Sequence, residues 1–179
     1  DPASLIIPVN RTVVLDLNGF TLSQTAKQTG AHSMIVNNGN LTIVDNKGNG
    51  KISYSDTGNG GEYVSNTIVN NGRLVIESGV IENNSSATVA SNGYPHPVDN
   101  NGELIINGGT LTNNANYASM RIWCTTDDNT SVTINGGTFR NVVEEAVTRH
   151  LMYVNGSAVV NINGGEFHGE ANGSAGGTH

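Results

Sequence analysis

Short alternations of apolar and polar residues recur along the chain, each running into a glycine. Leu74-Val75-Ile76, Leu104-Ile105-Ile106, Val132-Thr133-Ile134 and Val160-Asn161-Ile162 all lead into such an anchor. The anchors are Asn49-Gly50-Lys51-Ile52, Ser78-Gly79-Val80-Ile81, Gly108-Gly109-Thr110-Leu111, Gly136-Gly137-Thr138-Phe139 and Gly164-Gly165-Glu166-Phe167, each a glycine, any residue, then an apolar one. Period two over three to five residues, rich in Val, Ile and Thr and bounded by Asn-Gly, predicts short strands. Only Asn141–Val147 has a spacing that suits a helical turn or two.

The anchor glycines stand 29, 30, 28 and 28 residues apart. A looser copy, Asp16-Leu17-Asn18-Gly19-Phe20-Thr21-Leu22, precedes them by 31 residues and is shifted by one position. Asn-Gly pairs also suit antiparallel hairpins, but hairpins do not explain why whole units recur at this period. Three short strands and three corners do need that length, and stacked coils of this kind form a solenoid with parallel sheets. The expected architecture is therefore all-β: a parallel β-helix of about six coils of 28–31 residues, one domain over residues 1–168, and a Gly-rich tail or linker at 169–179.

The register also predicts which side chains become neighbours at the strand spacing of about 4.8 Å. Ile76, Ile106, Ile134 and Ile162 should form one interior column, and Ile81, Leu111, Phe139 and Phe167 another. Asn71, Asn101 and Asn129 share a register, as do Asn70, Asn100 and Asp128. Asparagine stacked at a corner can exchange amide hydrogen bonds while it holds a turn.

Composition sharpens this picture. The chain has 179 residues with 23 Gly and 27 Asn, so 50 positions carry one or the other, and only 13% of it is charged. Both residues tolerate the positive φ that sharp corners demand. The net charge of −7, without a Lys/Arg cluster, argues against nucleic acid, whose affinity rests on neutralised phosphates. No stretch reaches the length of an apolar membrane span, so no membrane is expected as partner. The start at Asp1 predicts a piece cut from a longer protein. A single cysteine, Cys124, excludes an internal disulfide framework.

The pattern resembles the right-handed parallel β-helix superfamily of pectate-lyase-like and phage-tailspike-like proteins. The similarity is carried by Val14–Leu22, Gly39–Asp45, Ile106–Leu111 and Ile134–Phe139, which look like the Asn/Gly-rich repeats of bacterial cell-surface and phage structural proteins. It extends over about residues 5–170 and is specific for fold rather than activity, since this architecture hosts lyases, hydrolases, adhesins and spacers alike.

Two constellations could carry chemistry. A spacing of 28 puts Arg121 and Arg149 in one register, with Tyr94 and Trp123 near the same stripe. Paired guanidinium groups suit a sugar carboxylate, and aromatic rings stack on sugar faces. The competing reading, long side chains lying along a wet surface, outweighs it. The same arithmetic stacks Asp99 on Asp127, with Asp128 beside them. Such a set suits Ca²⁺, or acid/base work by two close carboxylates. Asp replacing Asn as a turn former is the stronger reading. His96, His150 and His168 lack metal-ligand spacing with each other or with Cys124, so no zinc site is expected.

Against the enzymes of the superfamily, departures outweigh matches. The Asn-x-Asp, Gly-His-Gly and Arg-x-Lys strings of polygalacturonase-like hydrolases do not occur, and the inserts are short for walling a groove. The expectation is a noncatalytic structural or adhesive module, extracellular, on a phage virion (decoration, fibre or spike component) or on a bacterial cell surface. Its expected partners are a host or cell-surface glycan, other virion or surface proteins, or two further copies in a homotrimer. No cofactor is required unless the carboxylates hold Ca²⁺. The alternative is a lyase or glycoside hydrolase acting on acidic polysaccharide. The outer edges of the two terminal coils would template further strand pairing unless covered.

Overall fold

The computed structural model describes residues 3–26, 32–57, 65–85, 95–115, 120–123, 130–143 and 150–171, with the backbone alone at 121–123, 143, 170 and 171. The alternating runs form strands in chain order. The first coil is β1 (Leu5–Ile7), β2 (Thr12–Asp16) and β3 (Thr21–Ala26); the second is β4 (His32–Asn37), β5 (Asn40–Val44) and β6 (Lys51–Asp56). Next come β7 (Ser65–Asn70), β8 (Arg73–Ile76) and β9 (Val80–Asn83), then β10 (Val98–Asn100), β11 (Glu103–Ile106) and β12 (Thr110–Asn113). The last two coils are β13 (Met120–Trp123), β14 (Ser131–Ile134) and β15 (Thr138–Val143), then β16 (Met152–Asn155), β17 (Val159–Ile162) and β18 (Glu166–Ala171).

Every third strand pairs, so the described residues form three parallel six-stranded sheets: A from β1 to β16, B from β2 to β17 and C from β3 to β18. The four inner coils are paired on both sides, and the first and last on one. This is the expected all-β parallel solenoid, and no helix occurs among the described residues. The segment read as a helical turn begins as strand: Asn141–Val143 belongs to β15. The strand β18 pairs with β15 through Ala171, so regular structure continues past 168 into the expected tail.

Alternation decides which side chains go inside. In β6 Ile52 and Tyr54 are buried while Lys51, Ser53 and Ser55 face outward. The expected columns form and lengthen. Leu15, Ile43, Ile76, Ile106, Ile134 and Ile162 share one register. Leu22, Ile52, Ile81, Leu111, Phe139 and Phe167 share another, with the Phe139 and Phe167 rings stacked 4.8 Å apart. Burying each such side chain contributes about 1.5–3 kcal/mol.

Asparagines line all three corners, exposed at the B-to-C corner, where Asn135 donates to Asn107 and Asn163 to Asn135, and buried at the other two. Asn37, Asn70 and Asn100 are fully buried where sheet A turns into B. The Asn37 Nδ2 donates to Asn70 Oδ1 at 2.7 Å, and Asn70 Nδ2 to Asn100 Oδ1 at 2.6 Å. The column thus has Asn37 as its third described member, and the next strand supplies Ile122 opposite Asn100. A second column, Asn83, Asn113 and Asn141, is buried in sheet C, at the last residue of β9 and of β12 and within β15. Its amides donate to backbone carbonyls at the entry to sheet A: Ser65 and His96 from Asn83, Pro95 from Asn113, His150 from Asn141.

The A-to-B corner repeats Asn-Asn-Gly at 37–39, 70–72 and 100–102. Glycine is required there by approach rather than by φ. A Cβ on Gly72 would lie 2.2 Å from the Gly39 carbonyl oxygen, and one on Gly102 2.2 Å from that of Gly72. At the B-to-C corner both reasons act, since Gly109 has φ +83° and its Cβ would meet the Gly79 carbonyl oxygen at 2.7 Å.

Candidate functional site

The three Asn-Asn-Gly corners build a shallow polar trough of about 530 Å³ on the outside of the solenoid. Its floor is the second asparagine of each repeat, forced outward because the first is committed to the interior. Asn71 Nδ2 donates to Asn38 Oδ1 at 2.9 Å, and Asn101 Nδ2 donates to Asn71 Oδ1 at 3.2 Å. Each amide in this ladder keeps further donor or acceptor capacity facing solvent. One wall is an ion pair between Arg73 Nε and Glu103 Oε2 at 2.9 Å, both side chains nearly half exposed. Such a pair contributes little to stability, which leaves the guanidinium available for exchange with another acceptor. Val9 and Asn10 close the trough at the first coil.

The trough therefore offers donors and acceptors repeated at the strand spacing, one set per coil, with a single cation beside them. That arrangement suits an extended ligand bearing regularly placed hydroxyl or carboxylate groups and running along the solenoid axis.

A second polar region lies inside, where sheet C hands over to A. Asp56 is 3% exposed and accepts from Ser65 Oγ at 2.7 Å, and its backbone N–H donates to Ser85 Oγ at 3.1 Å. Burial, and then the adjacent Asp56 carboxylate, push the Tyr54 phenol up to about 12. The His32 ring stands 5.8 Å from that of Tyr54, and its Nε2 meets Gln24 Oε1 at 3.2 Å. Burial holds the His32 imidazole below its ordinary range despite the opposing charge of Asp56. Glu82, on the outer face of sheet C, is raised by burial, but hydrogen bonds from Ser53, Lys51 and Asn84 outweigh this and keep it below the usual carboxylate range.

The residues singled out from the sequence fall in different places. Tyr94, Asp127, Asp128 and Arg149 lie outside the described residues. Asp99 is in β10, 4% exposed, and accepts from Asn66 Nδ2 at 3.1 Å. Its backbone neighbour in the next coil is Arg121, and that of Arg121 is Tyr153. The expected stacking of Asp99 on Asp127 and of Arg121 on Arg149 is therefore corrected. Sheet A advances by 22 residues from Asp99 to Arg121 and by 32 from Arg121 to Tyr153, whereas sheets B and C keep the 28-residue step at this end. Unequal connections on either side of each A strand absorb the difference.

Trp123 is placed more suggestively. Ile122 pairs with Asn100, so on the backbone Trp123 takes the position that Asn101 takes one coil earlier, at the end of the amide ladder. The trough itself escaped the sequence reading of the site, although the thrice-repeated Asn-Asn-Gly is its signal. Among the described residues no group of three or more His, Cys, Asp or Glu side chains is placed to hold a metal ion. Comparison of the chain with protein-family models, curated proteins and solved structures gives no significant match.

Proposed function

We propose that this chain is a noncatalytic module of the right-handed parallel β-helix superfamily, displayed outside the cell on a phage particle or a bacterial surface, that binds a glycan along its A-to-B corner. The hand follows the strong rule for parallel β-strand crossovers. One observation carries the reading: the Asn38–Asn71–Asn101 amide ladder flanked by Arg73, a polar trough repeating at the coil spacing. Hydroxyl-bearing sugars match its alternating donors and acceptors. On this reading Trp123, whose backbone follows at the next register position, is assigned the part of an aromatic platform. Asp99 is engaged with Asn66 inside the fold, which supports a structural part for it rather than general acid/base work.

The test is a glycan array together with polysaccharide digestion, each with and without calcium. The expected result is binding without cleavage, weakened at least tenfold by Arg73→Ala and by Trp123→Ala, with β-rich circular dichroism unchanged. Cleavage of any polysaccharide would overturn the noncatalytic reading. Binding indifferent to both substitutions would remove the ligand from this corner.

A further inference from the structure

Every large hydrophobic side chain that is strongly exposed among the described residues lies in the first or the last coil, from Leu5 to Leu22 and from Val154 to Phe167. The described residues of the four inner coils include none. Six of these residues, Leu5, Val13, Leu22, Val154, Ile162 and Phe167, occupy registers that are buried in the inner coils, whereas Ile6, Val14 and Val159 face outward and Val9 and Phe20 lie at corners. Leu5 and Met152 are the two ends of one column, Val13 and Val160 of a second, Leu22 and Phe167 of a third. Leu5 is 47% exposed, Leu22 37% and Phe167 39%, where their inner-coil counterparts are fully covered.

We propose that the two end faces associate head to tail, the first coil of one copy of this chain stacking on the last coil of another. The chain itself supplies the complementary partner. Parallel sheets present one hydrogen-bonding edge on β1, β2 and β3 and the matching edge on β16, β17 and β18, so a stacked copy continues all three sheets in register. The columns continue as well: Met152 meets Leu5, Val160 meets Val13, Phe167 meets Leu22. No like charges face each other across the sheet C junction, where Glu166 meets Thr21 and His168 meets Ser23. Face-to-face pairing of two identical ends reverses strand direction and breaks these columns. A heterologous contact of this kind does not close and leads to filaments.

The experiment uses the full chain with Cys124→Ser and one new cysteine per copy. Thr21→Cys and Glu166→Cys are both exposed and fall in the same column. A mixture of the two variants under mild oxidation is expected to give a mixed disulfide dimer several-fold in excess of either like-with-like dimer. The Ser23→Cys and His168→Cys pair is expected to behave the same way, and the mass of the uncross-linked chain to rise with concentration. Like-with-like dimers in both pairs would overturn the proposal in favour of a two-fold contact. A monomer at all concentrations with no mixed cross-link would overturn it outright.

Discussion

Replacing Asn70 by Ala probes what the amide columns do for the fold. Asn70 is fully buried; its Nδ2 donates to Asn100 Oδ1 at 2.6 Å and to the Glu103 carbonyl at 2.9 Å, and its Oδ1 accepts from Asn37 Nδ2 at 2.7 Å. The truncation leaves Asn100 Oδ1 without its donor and one Asn37 N–H without its acceptor, while the other Asn37 N–H keeps the Arg73 carbonyl. Each stranded buried polar group costs about 1–3 kcal/mol, so the loss comes to about 4 kcal/mol once the small cavity is included. That is a large share of a typical total of about 5–15 kcal/mol. For a chain of this size it corresponds to a drop in Tm of about 8–16 °C. Asn71 is the control, one residue away, in an equally regular ladder, but exposed. Water replaces its partners, so Asn71→Ala is expected to cost no more than about 0.5 kcal/mol. Urea and thermal unfolding followed by circular dichroism measure both. Equal losses in the two variants would refute the claim that burial, rather than the ladder itself, gives the asparagines their weight.

Other consequences follow from the corners and the titrating groups. Gly72→Ala drives a Cβ against the Gly39 carbonyl oxygen and is expected to cost at least about 3 kcal/mol. Gly48→Ala, at φ +77° with open space around it, should cost only about 1 kcal/mol of backbone strain; chemical denaturation separates the two. The depressed Glu82 carboxyl contributes stability that is present above the ordinary value of 4.5 and lost as pH falls through its lowered folded value. Urea midpoints measured across that acidic window should fall less steeply for Glu82→Gln than for the parent chain. The depressed His32 acts in the same direction at higher pH, its contribution being complete above 6.5 and declining as the solution is acidified below it. Proton NMR of the imidazole should show a midpoint below 6.5 in the folded chain, and a midpoint above it would contradict the burial argument.

Sheets B and C could be read from the sequence because, from the third coil on, one corner of constant length joins them. Ile76 to Ile81, Ile106 to Leu111, Ile134 to Phe139 and Ile162 to Phe167 are each the same step, so anchoring on the glycine aligns both strands at once; the longer steps from Leu15 to Leu22 and from Ile43 to Ile52 are why the first copy looked shifted. Sheet A lies between the two corners where the chain length varies. Arithmetic carried across those corners misplaced Asp99 and Arg121, and the apolar alternation marked neither of their strands, which lie in stretches that read as inserts. The asparagine columns show how the fold tolerates this. Asn83 and Asn113 at the ends of their C strands, and Asn141 within β15, seize carbonyls at the entry to sheet A, while Asn37, Asn70 and Asn100 bond along the exit. Strands β7 and β10 are thereby clamped at both ends, β4 at its exit and β16 at its entry, by side chains that do not depend on how many residues intervene. The expense of such freedom is that register in sheet A is written in amide contacts, which periodicity does not reveal. The trough followed the same logic: a repeated Asn-Asn-Gly declares a corner, but that its second asparagine must face water is visible only once the first is known to be buried. The function proposed for that corner rests on this inversion, in which the rule that fills the interior with one asparagine ladder lays a second, solvent-facing ladder on the surface beside it.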